Sequence, residues 1–233
     1  MLRSATDLYG YVIRATDGEF GKVHDAYFDD RAWTVRYLVV ETGDWLLGRK
    51  VLLTTDLIGS PAQEGRVLPV MLSMREIERS PGVNSDKPVS LQMRRDPYEY
   101  YMWTPYCNVP GGGAGALVIS PLLVESEEQE RVVEERKYDP HLRSSREVIG
   151  YHIQATDGEI GHVKDFLVDD ATWTISYLVV DTRNWLPGKK VLIAPQQIKE
   201  ISWAKRKVHV ELSREAIKNS TGFDRQTHEV VRP

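Results

Sequence analysis

The chain has little cysteine and no long apolar run, and each shortage excludes a class of protein. Cys107 is the only cysteine in 233 residues, so no disulfide can form within the chain. The most apolar stretch, residues 116–124, is about half the roughly 20 residues needed to cross a bilayer and contains Pro121. The first residues lack the basic and apolar regions of a secretory signal. We therefore expect a cytoplasmic protein without a transmembrane segment, for which peripheral membrane association stays open.

The chain also lacks an excess of basic residues. It has 30 Lys and Arg against 34 Asp and Glu, a formal net charge of -4 at pH 7. Proteins that bind the phosphate backbone of nucleic acids usually carry a basic face. We therefore expect no nucleic-acid partner.

Sequence patterns for catalysis, metals or cofactors are missing as well. The six histidines show no metal-ligand spacing, and the glycine-rich stretch 111–115 lacks the lysine and hydroxyl residue of a phosphate-binding loop. A calcium loop counted from Asp17 would need glutamate at its twelfth position, where Phe28 stands. Asp25 and Asp29 are interpreted as outward-facing strand residues. The sequence thus predicts a protein that is not an enzyme, with no catalytic residue, no metal and no cofactor.

The strongest feature of the chain is an internal repeat. A shift of 140 positions aligns residues 10–82 (the first copy) with residues 150–222 (the second copy) without a gap. About half of the aligned positions are identical, which indicates a tandem duplication.

Each copy is predicted to be a small β unit. Asp17-Gly18 marks a hairpin turn that favours positive φ at both central residues, and residues 33–41 form the strongest strand. Ser73 with Glu76 three residues later predicts the start of a short helix, and Pro81-Gly82 predicts its end. Several short strands followed by one helix, in about 75 residues, favour a closed or nearly closed β-barrel.

Strict alternation divides the main strand between two faces. It places Trp33, Val35, Tyr37 and Val39 on one face, and it places Leu38 and Val40 on the other. The closing helix or the other copy is expected to cover the second face.

The predicted organisation has four parts. A first domain spans residues 1–83, a connector spans 84–148, a second domain spans 149–223, and a tail spans 224–233. The connector holds an aromatic segment, a glycine-rich segment and a charged run at 125–137.

The candidate partner-binding residues are aromatic or apolar. Trp45 and Trp185 lie in loops and either anchor a partner or cap a barrel end. Val67, Pro69 and Met71 share a strand face that is polar in the second copy, and this face is expected to contact the other copy, the aromatic segment or a second chain. The aromatic segment supplies the remaining candidates, Tyr98, Tyr100, Tyr101, Trp103 and Tyr106. These rings dock either on the chain's own barrels or on another molecule.

Both copies resemble the PRC-barrel domain. The resemblance is carried by GYVIRATDGEFGKVHDAYFDD with WTVRYLVVETGDWLLGRKVLL, and by GYHIQATDGEIGHVKDFLVDD with WTISYLVVDTRNWLPGKKVLI. That family includes the cytoplasmic domain of the photosynthetic reaction-centre H subunit and the C-terminal domain of a ribosome-maturation factor. The resemblance implies an all-β protein of two small PRC-barrel-type barrels in tandem, each closed by a short helix. It brings no catalytic residues.

Three functions follow from these features. The favoured one is a non-catalytic protein-binding adaptor or scaffold whose partner is not identified, and a homodimer is also open. The first alternative is an accessory protein of a photosynthetic or electron-transport complex at the cytoplasmic membrane surface. The second alternative is an enzyme with an active site between the barrels, which perturbed pKa values in an inter-barrel pocket would support.

The aromatic segment separates the first two functions. If it holds the protein at a membrane complex, changing its five aromatic residues to alanine should move the protein from the membrane to the soluble fraction, because aromatic rings carry much of the binding energy at interfaces. Membrane fractionation of the native cell measures this. An adaptor that works in solution would show the same distribution before and after the change.

Overall fold

A computed structural model describes residues 1–62, 64–80, 82–83, 141–182, 190–224 and 229–231. These residues are mostly β-strand, with a few short helices.

The described residues of the first copy and of the segment before it form seven strands and two α-helices. The strands are β1 Leu2–Ser4, β2 Val12–Arg14, β3 Glu19–Asp29, β4 Thr34–Glu41, β5 Lys50–Thr54, β6 Val67–Pro69 and β7 Gly82–Val83. The helices are α1 Ala5–Leu8 and α2 Met74–Glu78.

The second half repeats this order. Its strands are β8 Leu142–Ser144, β9 His152–Ala155, β10 Gly158–Asp169, β11 Ile175–Asp181, β12 Lys190–Ile193, β13 Ile198–Ser202, β14 Lys207–Val210, β15 Gly222–Asp224 and β16 Glu229–Val231. Its helices are α3 Ser145–Val148 and α4 Arg214–Lys218.

The described strands form two hydrogen-bonded sheets. One runs in the order β6-β2-β3-β4-β5-β7, and the other runs in the order β13-β14-β9-β10-β11-β12-β15-β16. Neither path returns to its first strand within the described residues, so these strands do not show the closed barrels that the sequence favours. In the first copy, Ile58 and Ala62 make only isolated bridges where the second copy has β13, because Gly59 and Pro61 weaken a strand there.

Each sheet gains a strand from outside its own copy. Residues 2–8 (the N-terminal arm) place β1 beside β10, and residues 142–148 (the middle arm) place β8 beside β3. The two arms thus lie on opposite copies. Each arm also supplies its short helix to the strand that it pairs with.

The repeated Asp-Gly turn serves the closing helix. The hairpin β2–β3 forms as predicted, but Gly18 does not have positive φ. Asp17 accepts a hydrogen bond from the Met74 amide at 2.8 Å at the start of α2, and a Cβ on Gly18 would lie 2.9 Å from the Met74 sulfur. A side chain at this position would therefore require the flexible Met74 side chain to shift.

The capping prediction for α2 is confirmed. The Glu76 carboxylate accepts hydrogen bonds from the Ser73 amide and hydroxyl at 2.8 and 2.7 Å. Both bonds are donated by Ser73 to Glu76, and they hold the residue before the helix to its first turn.

The predicted alternation along the main strand is wrong at Val35. Val35 lies in the core together with Leu38 and Val40, whereas Tyr37 and Val39 face a separate cluster. A register shift causes this, because Tyr27 pairs with Tyr37 while the next residue, Phe28, pairs with Val35. The bulge inserts one residue and reverses the faces.

One core joins the two copies. Leu38 and Val40 belong to a buried cluster that continues into the second copy through Phe28 and Phe166, whose ring centroids lie 5.1 Å apart. Val35 also donates its amide to the Trp173 carbonyl at 2.8 Å. Leu38 and Val40 are therefore buried in a core that the other copy shares.

This shared core predicts a single unfolding transition. Asp25→Ala, which removes the acceptor for the middle arm, should lower the free energy of unfolding by about 3 kcal/mol because it leaves several buried donors unsatisfied. Calorimetry should show one transition, and amide exchange should accelerate in β11 as well as in β4. Asp17→Ala is the control, since it removes a contact within one copy. Two separated transitions would contradict the prediction.

Candidate functional site

Two buried aspartates attach the arms. Asp25 is 6% exposed and accepts hydrogen bonds from the hydroxyl groups of Ser144 and Ser145 and from the Arg146 amide. Asp165, its equivalent, accepts them from the Ser4 hydroxyl and from the amide and hydroxyl of Thr6. Each carboxylate therefore receives the arm from the other half of the chain. The prediction that Asp25 faces outward is wrong because the middle arm covers it.

The pKa of Asp25 reflects this position. Burial raises the pKa of its carboxyl group, and the hydrogen bonds from the middle arm act in the opposite direction.

Asp29 shapes the turn before the main strand and is also buried, at 8% exposure, so its predicted outward position is wrong. Its carboxylate accepts hydrogen bonds from the amides of Arg31 and Ala32 at 2.8 and 2.9 Å, and it pairs with the Arg36 guanidinium at 2.7 Å. Burial acts to raise the pKa of Asp29, but these hydrogen bonds and the nearby positive charge outweigh it and hold the pKa below its ordinary value. Asp169 repeats the turn with the amides of Ala171 and Thr172.

Asp30 belongs to a cluster of charged side chains at the place where the two halves meet. Its two oxygens lie 2.8 Å from His141 Nδ1 and 2.8 Å from Arg143 Nε. Burial raises the pKa of Asp30, although Arg143 and His141 act in the opposite direction. At the equivalent place, Asp170 pairs with Arg3 at 3.2 Å.

A cleft of about 350 Å³ opens beside this cluster. Its walls come from the turn between β3 and β4, from the start of the middle arm and from β13, so both halves contribute. The lining residues are Asp30, Arg31, Trp33, His141, Arg143, Ile198, Lys199, Glu200 and Ile201. Trp33 stacks on Phe28 with ring centroids 5.8 Å apart, which ties the wall of the cleft to the shared core.

The lining is suited to binding. Among its described residues there is no serine, threonine or cysteine, and so no hydroxyl or thiol nucleophile beside His141. Across the part of the chain that the structure describes, no three His, Cys, Asp or Glu side chains are grouped to hold a metal ion. The charged side chains and the mixed polar and apolar walls can hold a polar ligand or a peptide.

The structure places three of the sequence-predicted partner-binding residues. Trp45 is partly buried and its ring lies edge-on to Phe20, with centroids 5.2 Å apart. Val67 is buried and makes a bridge with Ala62, whereas Met71 is 54% exposed. The structure does not bring these three into the cleft. Six others lie outside the described residues, and they are Tyr98, Tyr100, Tyr101, Trp103, Tyr106 and Trp185.

Sequence reasoning missed the arms and two exposed side chains. Leu2-Arg3-Ser4 recurs as Leu142-Arg143-Ser144 at the same shift of 140 positions, and extending the repeat backwards would have found it. Leu47 is 97% exposed and Trp203 is 51% exposed, both in connections between strands. Leu47 also has a positive φ of 52°, which is unusual for leucine.

The fold now described is that of a β-rich protein built from repeated strand units with short closing helices. The PRC-barrel domain family matches residues 140–217, and the chain therefore contains a PRC-barrel domain there. The matched residues include the middle arm, which pairs with the first copy. No curated protein is similar enough to the chain to count as a relative.

Among the described residues, the short helices include none with the length and apolar character needed to cross a bilayer.

The depressed pKa of Asp29 predicts a pH-dependent contribution to stability. A carboxyl whose pKa is lower in the folded state stabilises the protein above its unfolded pKa of about 4, and this contribution is lost as the pH falls through the folded pKa. Asp29→Asn should therefore cost about 1 kcal/mol near pH 7, and the cost should shrink below about pH 4.

Denaturant unfolding of both proteins across this pH range measures the difference. Arg36→Ser, which copies the equivalent Ser176, is the control that removes only the ion pair. A difference that stays constant down to about pH 2 would show that the carboxyl charge makes no contribution.

Proposed function

We propose that the protein is a non-catalytic adaptor in which two PRC-barrel-type units in tandem act as one body and present their surfaces to a protein partner. The proposal rests on the contacts that hold the two halves together, which we call the joint. The exchanged arms and the Phe28–Phe166 contact fix the two halves in one orientation, so surfaces from both can meet one partner.

The order of elements supports two units of the same type. Each half runs through an arm strand, a short helix, a hairpin, a long strand and a closing helix, and the second half carries the family match. Ile58 bridges Val70 in the first half as Ile198 pairs with Val210 in the second. Equivalent residues are therefore paired at this place in both halves.

The roles of the aspartates support a non-catalytic protein. Asp25 and Asp165 hold the arms, Asp17 and Asp157 accept hydrogen bonds from the first amide of a closing helix, and Asp29 shapes a turn. A carboxylate whose oxygens already accept several hydrogen bonds is poorly placed to move protons for a substrate.

The proposed contact surface is apolar. Met71 and Leu47 expose apolar side chains on the first half, and Trp203 does so on the second. Trp45, Val67 and the aromatic residues at 98–106 remain proposed contributors. A cytoplasmic location is part of the proposal, since a single cysteine suits a reducing compartment.

The decisive experiment places a photo-crosslinking amino acid at Met71, Leu47 or Trp203 of the full chain in its native cell. We expect a crosslink to a defined protein, which is then purified and bound to the full chain in solution. Met71→Glu, which copies Glu211 of the second half, should weaken this binding by about tenfold because it puts a charge into an apolar contact.

Glu211→Gln is the matched control at the equivalent position of the second half and should leave the affinity unchanged. Affinity that is equally insensitive to changes at Met71, Leu47 and Trp203 would refute the proposed surface. Turnover of a small molecule by the purified chain would refute the non-catalytic function.

A further inference from the structure

Strand β13 presents an open edge to the cleft. It lies at the end of its sheet and pairs with β14 on one side, and no described strand is hydrogen-bonded to its other edge. Four consecutive residues of this strand, 198–201, line the cleft. A register shift between Ile198 and Glu200 leaves the neighbouring side chains of Lys199 and Glu200 both exposed, while Ile201 is buried. Because exposed and buried residues of the strand both line the cleft, we infer that the edge of the strand borders it. An open edge offers a row of backbone donors and acceptors.

The equivalent edge of the first half is interrupted. Ile198, Lys199, Glu200 and Ile201 correspond to Ile58, Gly59, Ser60 and Pro61. Proline has no amide hydrogen and glycine weakens a strand, and this stretch makes only isolated bridges. The duplicated chain therefore has a five-residue edge strand, with one register shift between Ile198 and Glu200, at one of the two equivalent places.

The two halves also differ in the charged residues at the positions that line the cleft. Arg31 and Lys199 are exposed on opposite walls, and the equivalent positions are Ala171 and Gly59. Asp30 is neutralised by its ion pair with Arg143, which leaves Glu200 as the remaining acid of the lining. The two exposed cations thus stand beside the open edge and favour a negatively charged occupant.

We propose that an extended, acidic segment of a protein partner binds in this cleft by adding a strand to the free edge of β13. Backbone hydrogen bonds to β13 give the affinity, and the acidic side chains of the segment meet Arg31 and Lys199. The inference rests on the proposed adaptor function and names the chemistry of one contact. It is independent of the apolar surface around Met71.

A synthetic peptide tests the proposal on the full chain. The probe is a fluorescein-labelled peptide of about ten residues, alternating glutamate with valine, which suits a strand. We expect saturable binding by fluorescence anisotropy, with amide chemical-shift changes at residues 198–202. A peptide N-methylated along one edge should bind at least about tenfold more weakly because it loses two or more backbone hydrogen bonds.

Charge variants test whether the acidic side chains of the segment contact Arg31 and Lys199. Arg31→Ala, which copies Ala171, and Lys199→Gln should each weaken binding by about threefold, as expected for exposed ion pairs. Lys205→Gln is the matched control, an exposed lysine outside the cleft lining, and should bind as the unchanged protein does. Lys199→Glu should favour a peptide in which lysine replaces glutamate.

Three results would overturn the proposal. They are absence of saturable binding, binding that N-methylation does not weaken, and binding that is insensitive to both Arg31→Ala and Lys199→Gln. A fourth result is peptide binding that appears only after the six glutamates of the acidic run at 125–137 are changed to glutamine. This result would also overturn the proposal, because it would assign the cleft to this chain's own acidic run. None of these results would affect a crosslink between Met71 and a protein partner. The adaptor function and the binding of an acidic segment can therefore be refuted independently.

Discussion

The structure depends on two buried carboxylates that each accept the arm of the opposite half. Burying a charged group costs free energy unless hydrogen bonds compensate for it. Asp25 meets this requirement with donors from residues 144–146, and Asp165 meets it with donors from Ser4 and Thr6. Each aspartate also accepts the amide of the next residue in its own half, but its other donors come from the other half of the chain, so neither half alone supplies all the hydrogen bonds of its buried aspartate. The two halves are therefore coupled in stability as well as in position.

This coupling explains why one duplication has produced two different surfaces. The joint uses matched groups, with Asp25 and Asp165 in equivalent roles, and so both copies must keep them. Positions away from the joint are not constrained in this way. There the copies differ, with Arg31 in place of Ala171 and Lys199 in place of Gly59. A cleft between the halves can thus acquire charge on one side of the molecule while the frame that holds it stays the same.

Several local features could be predicted from the sequence because they depend on neighbouring residues. The Ser73 cap, the β2–β3 hairpin and the repeat belong to this group, and so does the family resemblance for residues 140–217. The bulge between Val35 and Tyr37 could not be predicted, because one bulged residue reverses the faces of a strand without a clear change in its sequence pattern. A pocket between the two copies was considered only as one alternative, and the residues that line the cleft could not be predicted, because its walls are far apart in the chain.

The sequence by itself determined that the chain is a β-rich duplication with a helix-capping turn in each copy, since these features follow from local preferences and from a period of 140 residues. Only the tertiary structure decided what Asp25 and Asp165 do and that Arg31 and Lys199 line the same cleft. Alternation marks a strand aspartate as outward-facing when its own copy is considered alone. An arm from the other copy covers it, and contacts between residues more than a hundred positions apart leave no mark in local sequence patterns.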